Sequence, residues 1–325
     1  MANKLIRPLG KLALAAAALT VVTLAPAQAA WPEKPITIIV PFGAGGVTDI
    51  TARTFQKAAA DNNLLPQPMA VLNITGGTGG SVGSTRAKTS APDGHTFLLL
   101  HLALMSAEAS GQSQVSYRDF EAVAGTTNSC MASIVPQDAK WQTFKELMDE
   151  AKAKPNTIPF ATNLGSVFHM TTLIMQNSAP GAEFRLVQVG GEANAISSLK
   201  GGHTAAGLLS VGSFLRYKEE GFRLLAVLAP ERQPGVMDYP TAKEQGYDAS
   251  LCIEHWWFAP KGTPKEAMDG MAAMLKKAME TDYIKKALFE DRGMALTYDT
   301  GPGFAKKLDA TFEWIAPLAK SVAKK

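Results

Sequence analysis

The sequence predicts an α/β protein, and three observations carry that prediction. Short apolar runs alternate with amphipathic stretches at the spacing of strand-helix units. Several of those runs end in small, glycine-rich corners placed just before a helical pattern, as strand-to-helix turns in such sheets do. The composition, 46% apolar and 19% charged over 325 residues, is globular and large enough for one large or two medium domains with buried cores.

In chain order, residues 1–29 read as a targeting segment. Lys4, Arg7 and Lys11 give a positive start, residues 12–25 an apolar stretch, and Ala27-Gln28-Ala29 a small-x-small cleavage site. The stretch falls short of the ~20 residues a bilayer span requires, so an exported, soluble chain beginning near Ala30 is expected. With no cysteine near the cut, a lipid anchor is not expected. The formal net charge of +3 is matched by the leader's three cations, which leaves the remainder near neutral. No broad basic field for nucleic acid or anionic membrane is left.

The apolar run 36–40 reads as a strand leading into Pro41-Phe42-Gly43-Ala44-Gly45-Gly46-Val47-Thr48-Asp49, with Ala52, Phe55 and Ala59 beyond at helical spacing. Small residues here leave backbone N–H groups facing outward, and Thr48 or Asp49 is placed to cap the first turn. A helix N-terminus offers roughly half a positive charge and four unpaired donors, enough to hold a carboxylate or phosphate without Lys or Arg. The spacing excludes two familiar uses of this design. Thr48 stands where a dinucleotide fingerprint needs its third glycine, and the lysine of a phosphate loop is missing. A second corner, Asn73-Ile74-Thr75-Gly76-Gly77-Thr78-Gly79-Gly80-Ser81-Val82-Gly83, follows the apolar run 69–72 and leads towards Ala87. Facing each other across one cleft, the two would offer backbone donors to a ligand.

The remaining elements alternate in the same way. Residues 97–100 read as a buried strand after the turn Ala91-Pro92-Asp93-Gly94. Thr143-Phe144-Lys145-Glu146 is a capping box for a helix through Leu147 and Ala151 that stops before Pro155. A short strand at 158–162 feeds Asn163-Leu164-Gly165-Ser166 and a helix carrying Phe168, Thr171, Thr172 and Met175. The strand 185–189 reaches Gly190-Gly191 ahead of Ala195, Ile196 and Leu199, and 224–228 is another buried strand. Thr263-Pro264-Lys265-Glu266 reads as a second capping box with Pro264 at the first helical position, followed by the stripe Met271, Met274, Leu275 and Ala278.

Catalytic and metal constellations are weak. Ser166 and His169 share a helix face, but Leu164 and Phe168 replace the glycines of a nucleophile elbow, and no Asp is placed to orient the histidine. His95, His101, His169, His203 and His255 are scattered without HExxH or CxxC partners, so no metal is expected. Cys130 and Cys252 each sit in an extended apolar run; an exported pair forms a bridge if those runs are neighbours and otherwise remains two buried thiols. Trp256-Trp257 reads as core or as the wall of a ligand cleft.

The ordered set Trp31-Pro32-Glu33-Lys34-Pro35-Ile36, PFGAGGVTD with Ala52-Arg53, NITGGTGGSVG, Ala91-Pro92-Asp93-Gly94-His95-Thr96 and Ala259-Pro260-Lys261-Gly262-Thr263-Pro264 resembles the TctC or Bug family, from about Trp31 onward. These are the substrate-binding receptors of tripartite tricarboxylate transporters. The resemblance implies a type II periplasmic binding protein fold, two α/β lobes joined by two crossover strands with a ligand cleft between them. Residues 31–131 plus 252–325 would form lobe one and 132–251 lobe two, with both cysteines at the crossovers.

Carried over by position, Phe42, Gly43, Ala44, Thr48 and Asp49 form a first jaw, and Thr75, Gly76, Thr78, Gly79 and Gly80 a second. His101 and Ala103 line the cleft, and lobe two supplies Thr162, Asn163, Ser166, Gly190, Gly191 and Ser210. Ala161 and Asn163 replace the family's usual serine and glycine, and Val189-Gly190-Gly191 replaces its Tyr-Lys-Gly. The loss of a phenol and a cation argues against a small polyanion such as citrate and for a more apolar or aromatic acid. The resemblance thus implies a non-catalytic, cofactor-free receptor, a monomer that closes on a small carboxylate and delivers it to one large and one small membrane subunit. A sensory co-receptor for a histidine kinase would use the same cleft.

Overall fold

Apolar runs of four or five residues bounded by turn residues are too short for buried helices, and each folds as a strand. In the computed structural model of the chain, residues 31–164, 166–190 and 192–323 are described, together with Met1. The rest of the targeting segment with its cleavage site, Ala30, and Gly165 and Gly191 of the two corners lie outside the described residues.

The strands are β1 (Ile36–Val40), β2 (Met69–Asn73), β3 (Thr96–Leu100), β4 (Phe120–Pro136), β5 (Pro159–Thr162), β6 (Arg185–Gln188), β7 (Ala206–Ser210), β8 (Phe222–Leu228), β9 (Cys252–Pro260) and β10 (Ala295–Asp299). The helices are α1 (Val47–Asp61), α2 (Ser81–Lys88), α3 (Ala103–Ala109), α4 (Phe144–Ala153), α5 (Val167–Asn177), α6 (Glu192–Lys200), α7 (Val211–Tyr217), α8 (Lys265–Glu280), α9 (Asp282–Ile284) and α10 (Gly301–Ala323). Among the described residues, no helix is long and apolar enough to cross a membrane.

Hydrogen bonding links the strands in the order β2-β1-β3-β9-β4-β7-β5-β6, with β8 and β10 also paired to β4. The long strand β4 divides this path. Up to Cys130 it pairs antiparallel with β9 and β10; from Met131 it pairs with β7 and β8. One group is built on parallel β1, β2 and β3, the other on parallel β5, β6 and β7. Parallel strands need helical crossovers that cover them, which is why Ile36, Ile38, Phe97, Leu98 and Leu99 are fully buried with no alternation of polar residues. Helix α1 buries Ala52, Phe55 and Ala58 in a cluster shared with Met271, Met274 and Leu275 of α8. Phe55 meets Trp257 edge-on, with ring centroids 5.5 Å apart.

Cys130 and Cys252 are directly paired residues of β4 and β9 and form a disulfide. The bridge lies where β4 passes from one group of strands to the other. In the chain-entropy view, closing a loop of 122 residues restricts the unfolded chain by about 4–5 kcal/mol.

Three helix starts differ from the sequence expectation. Gly46, not Thr48 or Asp49, is the N-cap of α1, and no side chain caps it. Thr143 caps α4 by accepting the Glu146 N–H at 3.2 Å, but the Glu146 carboxylate accepts from Gln142 N at 2.7 Å, so the box is shifted by one residue. The box at Thr263 does not form. Its hydroxyl donates back to the Pro260 carbonyl at 2.8 Å, which leaves Pro264 as the uncapped boundary of α8. The tryptophan pair is core: Trp256 and Trp257 are both buried, and the Trp257 indole donates to Thr126 Oγ1 at 2.9 Å.

Candidate functional site

A cavity of about 740 Å³ opens where the corners following β1, β2, β5 and β6 come together. From the first group of strands it is lined by Phe42, Gly43, Val47, Thr48, Thr78, Gly79, His101 and Ala103; from the second by Asn163, Leu164, Ser166, Phe168, Glu192 and Ser210. Met131 and Ile253, each next to a bridged cysteine, also line it. Ten of the residues expected from the sequence therefore share one cavity: Phe42, Gly43, Thr48, Thr78, Gly79, His101, Ala103, Asn163, Ser166 and Ser210.

The lining brings together the starts of α1 (Val47, Thr48), α5 (Val167, Phe168) and α6 (Glu192), with the N-cap of α7 (Ser210). Among the described residues its lining contains no Lys or Arg. Helix ends and backbone N–H groups supply positive potential there.

Other expected residues lie outside the lining. Ala44, Thr75 and Gly76 are exposed away from it. Gly80 supports the site from behind. With φ of +78° it packs so closely that an added Cβ would sit 2.8 Å from Pro41 Cβ. Thr162 is buried beneath the second wall, and its hydroxyl has no hydrogen-bond partner among the described residues. Gly190, at φ +91°, turns the chain into α6 without reaching the cavity.

Asp49 is buried and serves as the fastening of the two jaws. Its carboxylate accepts Gly45 N at 2.8 Å, Arg53 Nε at 2.9 Å and Asn73 Nδ2 at 2.9 Å. Asn73 Nδ2 also donates to the Phe42 carbonyl at 3.0 Å, so one amide holds the corner after β1 to the corner after β2. Burial pulls the Asp49 carboxyl upward, but the hydrogen bonds from Arg53, Gly45 and Asn73 outweigh it and leave it below the usual carboxylate range.

Two histidines back the first wall, and sequence reasoning found only one of them. His101 stacks on Phe42 with centroids 4.7 Å apart, and its Nδ1 accepts the Ala103 N–H at 3.2 Å. That bond leaves Nε2 carrying the proton in the neutral ring. Burial lowers its pKa to about 4, so near neutral pH it is an uncharged donor. Behind it His255 lies between Thr48 Oγ1 (3.2 Å) and Thr127 Oγ1 (2.9 Å). Burial, reinforced by the nearby His101, lowers its pKa to about 3.

The second wall spends its own polar groups internally. Ser166 Oγ donates to the Asn163 carbonyl at 2.6 Å and accepts Phe168 N at 3.2 Å, and so caps α5. Ser210 Oγ accepts Ser213 N at 3.2 Å. Glu192, missed in the sequence, accepts from Ser210 N and, at 2.5 Å, from Ser213 Oγ. Its signal was available: an acidic residue immediately after a glycine corner, in the first turn of a predicted helix. A second cavity, of about 380 Å³, adjoins the first, sharing Gly46, Val47, Glu192 and Ser210 with it, and is lined further by Arg216, Asp291 and Arg292. Among the described residues, no group of His, Cys, Asp and Glu is arranged to hold a metal ion.

The family profile described as "Tripartite tricarboxylate transporter family receptor" (TctC) matches residues 51–310. Protein BugT of Bordetella pertussis (strain Tohama I) is 30% identical over 266 residues, covering 79% of this chain and 80% of its own. The crystal structure of a TctC solute-binding protein from Polaromonas, 28% identical, superposes with a TM-score of 0.75 over 90% of this chain and 99% of that one. That of the periplasmic binding protein BugD, 25% identical, gives 0.76 over 90% and 98%. The two-lobed α/β solute-binding fold is thereby shown, and the chain belongs to the TctC family of tripartite tricarboxylate transporter receptors.

Proposed function

We propose that this chain captures a small carboxylate between two lobes and delivers it to the membrane subunits of a tripartite transporter, without catalysis. The observation that carries the reading is a cavity of about 740 Å³ walled by converging helix starts and, among the described residues, lined by no Lys or Arg. Such a wall solvates one carboxylate through backbone donors and the neutral Nε2–H of His101. Phe42, Val47, Met131, Phe168 and Ile253 then make the rest of the lining apolar, which suits an acid with a hydrocarbon or aromatic body.

In this reading residues 31–131 plus 252–325 move as one lobe and 132–251 as the other, a division that rests on β4 changing partners at Met131. A ligand held by the first wall completes its contacts only when the second approaches. Binding therefore shifts the population towards the closed form by its differential affinity for the two states. The leader at 1–29, cut near Ala29 and Ala30, exports the chain to the periplasm, where it acts as a soluble monomer and the closed form is what the large and small membrane subunits recognise. The test is calorimetry and thermal shift of residues 31–325 with a panel of aliphatic and aromatic carboxylates. Stabilisation should grow with ligand, reaching about 2.7 kcal/mol at a hundredfold excess over Kd. A flat response to every acid would end the proposal.

A further inference from the structure

Among the described residues, Glu192 is the sole formally charged side chain in the lining of the larger cavity. Its hydrogen bonds come from Ser210 N–H and Ser213 Oγ, both uncharged, so its negative charge is not cancelled by a direct ion pair. Arg216 and Arg292 line the smaller cavity beside it, not the larger one. The opposite wall has the contrary character: the start of α1, whose one first-turn acid, Asp49, is paired with Arg53, and the neutral His101 both donate.

A ligand spanning this cavity thus meets donors at one end and a carboxylate acceptor at the other. A second anionic group brought close to Glu192 within the larger cavity, whose own lining holds no Lys or Arg among the described residues, is repelled. At about 5 Å and an effective dielectric near 20, the Coulomb energy corresponds to a few hundredfold in affinity, roughly. The same geometry favours a donor or a cation at the Glu192 end by electrostatic complementarity.

We infer that Glu192 sets the charge specificity of the cleft, so that the ligand is a monocarboxylate whose far end is a hydrogen-bond donor or a cation, such as an amino acid or N-heterocyclic acid, and not a di- or tricarboxylate. The inference rests on the receptor reading and narrows its substrate class.

The experiment uses matched pairs differing only at the far end: 4-aminobutyrate against succinate, 6-aminohexanoate against adipate, and 4-(aminomethyl)benzoate against terephthalate. Calorimetry on residues 31–325 should show the amino member of the best-fitting pair bound at least about tenfold more tightly than its diacid. In Glu192→Gln, which retains an acceptor for Ser210 N–H and a polar partner for Ser213 Oγ, that ratio should fall to within about threefold. A diacid bound as tightly as its amino partner by the wild type would overturn the inference while leaving the receptor reading intact; this arm does not require the variant to fold. A preference unchanged in a folded Glu192→Gln would overturn it too. Failure of all six acids to bind a cooperatively melting protein would overturn the receptor reading and this inference with it.

Discussion

The two walls of the cleft are made from the same part, a helix start after a parallel strand, and use it in opposite ways. On the first wall α1 begins without a side-chain cap, and the stabilising contacts lie behind it, in Asp49, Asn73 and His255. On the second wall Ser166 and Ser210 occupy their own helix starts, and Glu192 takes a further backbone donor. A helix end that is already capped has less to offer an anion. In the proposed receptor, this difference would give capture of the carboxylate to the first wall and discrimination by shape and charge to the second.

The most severe way to break this arrangement is acid, because both strongly shifted histidines belong to the first wall. The unfolded chain protonates each near pH 6.5, whereas His101 and His255 in the folded chain wait until about pH 4 and about pH 3. The folded state therefore binds fewer protons in this window. Their contribution to stability is complete above pH 6.5 and declines as pH falls towards the folded values. Between pH 6.5 and 5, above the main carboxylate range, the two together should cost about 3 kcal/mol. Urea midpoints measured across that window should fall; a constant midpoint would mean that the folded rings take up protons as readily as the unfolded ones.

Gly79→Ala attacks the backbone of the first wall directly. Gly79 has φ of +64°, and an added Cβ would lie 2.3 Å from the Ala103 carbonyl oxygen and 2.7 Å from Ala107 Cβ. Left-handed strain and overpacking together should cost about 3 kcal/mol. Acid affinity should drop more than tenfold, because the corner and the start of α3 are displaced together. Unchanged calorimetric affinity would remove this corner from the grip.

Much of this division was legible in the sequence. The glycine corners, the short apolar runs and the Met271 to Ala278 stripe are local signals, and each element formed where its pattern lay. The role of Asp49 was not legible, because a first-turn acid reads as a cap until Asn73, 24 residues away, is seen to share its oxygen. His255 is hidden for the same reason, since its partners Thr48 and Thr127 lie 207 and 128 residues distant. The pairing of Cys130 with Cys252 also required the register of β4 and β9. Position along the chain finds corners; only the assembled sheet tells which side chains are spent on structure and which remain for a ligand.

Asp49→Asn sharpens the comparison with a smaller change. The amide keeps the shape but loses the charged acceptor for Arg53, and its NH₂ must face the donors of Gly45 or Asn73. A loss of about 2 kcal/mol is expected, with weaker acid binding because both jaws are fastened through this group. A destabilised protein with unchanged affinity would show that the jaws keep their positions without it.

The smallest effects belong to the second wall. Ser166→Ala and Ser210→Ala each remove one cap hydrogen bond, worth about 1 kcal/mol by denaturation. Affinity for the acid should nevertheless change by less than about threefold, since the Ser166 hydroxyl is already spent on the Asn163 carbonyl and the Phe168 N–H, and its loss exposes a donor instead of removing one. If Ser166→Ala abolished binding while the protein still melted cooperatively, the hydroxyl would have to contact the ligand itself. The second wall would then share the capture of the acid, and the opposed use of capped and uncapped helix starts would no longer account for the cleft.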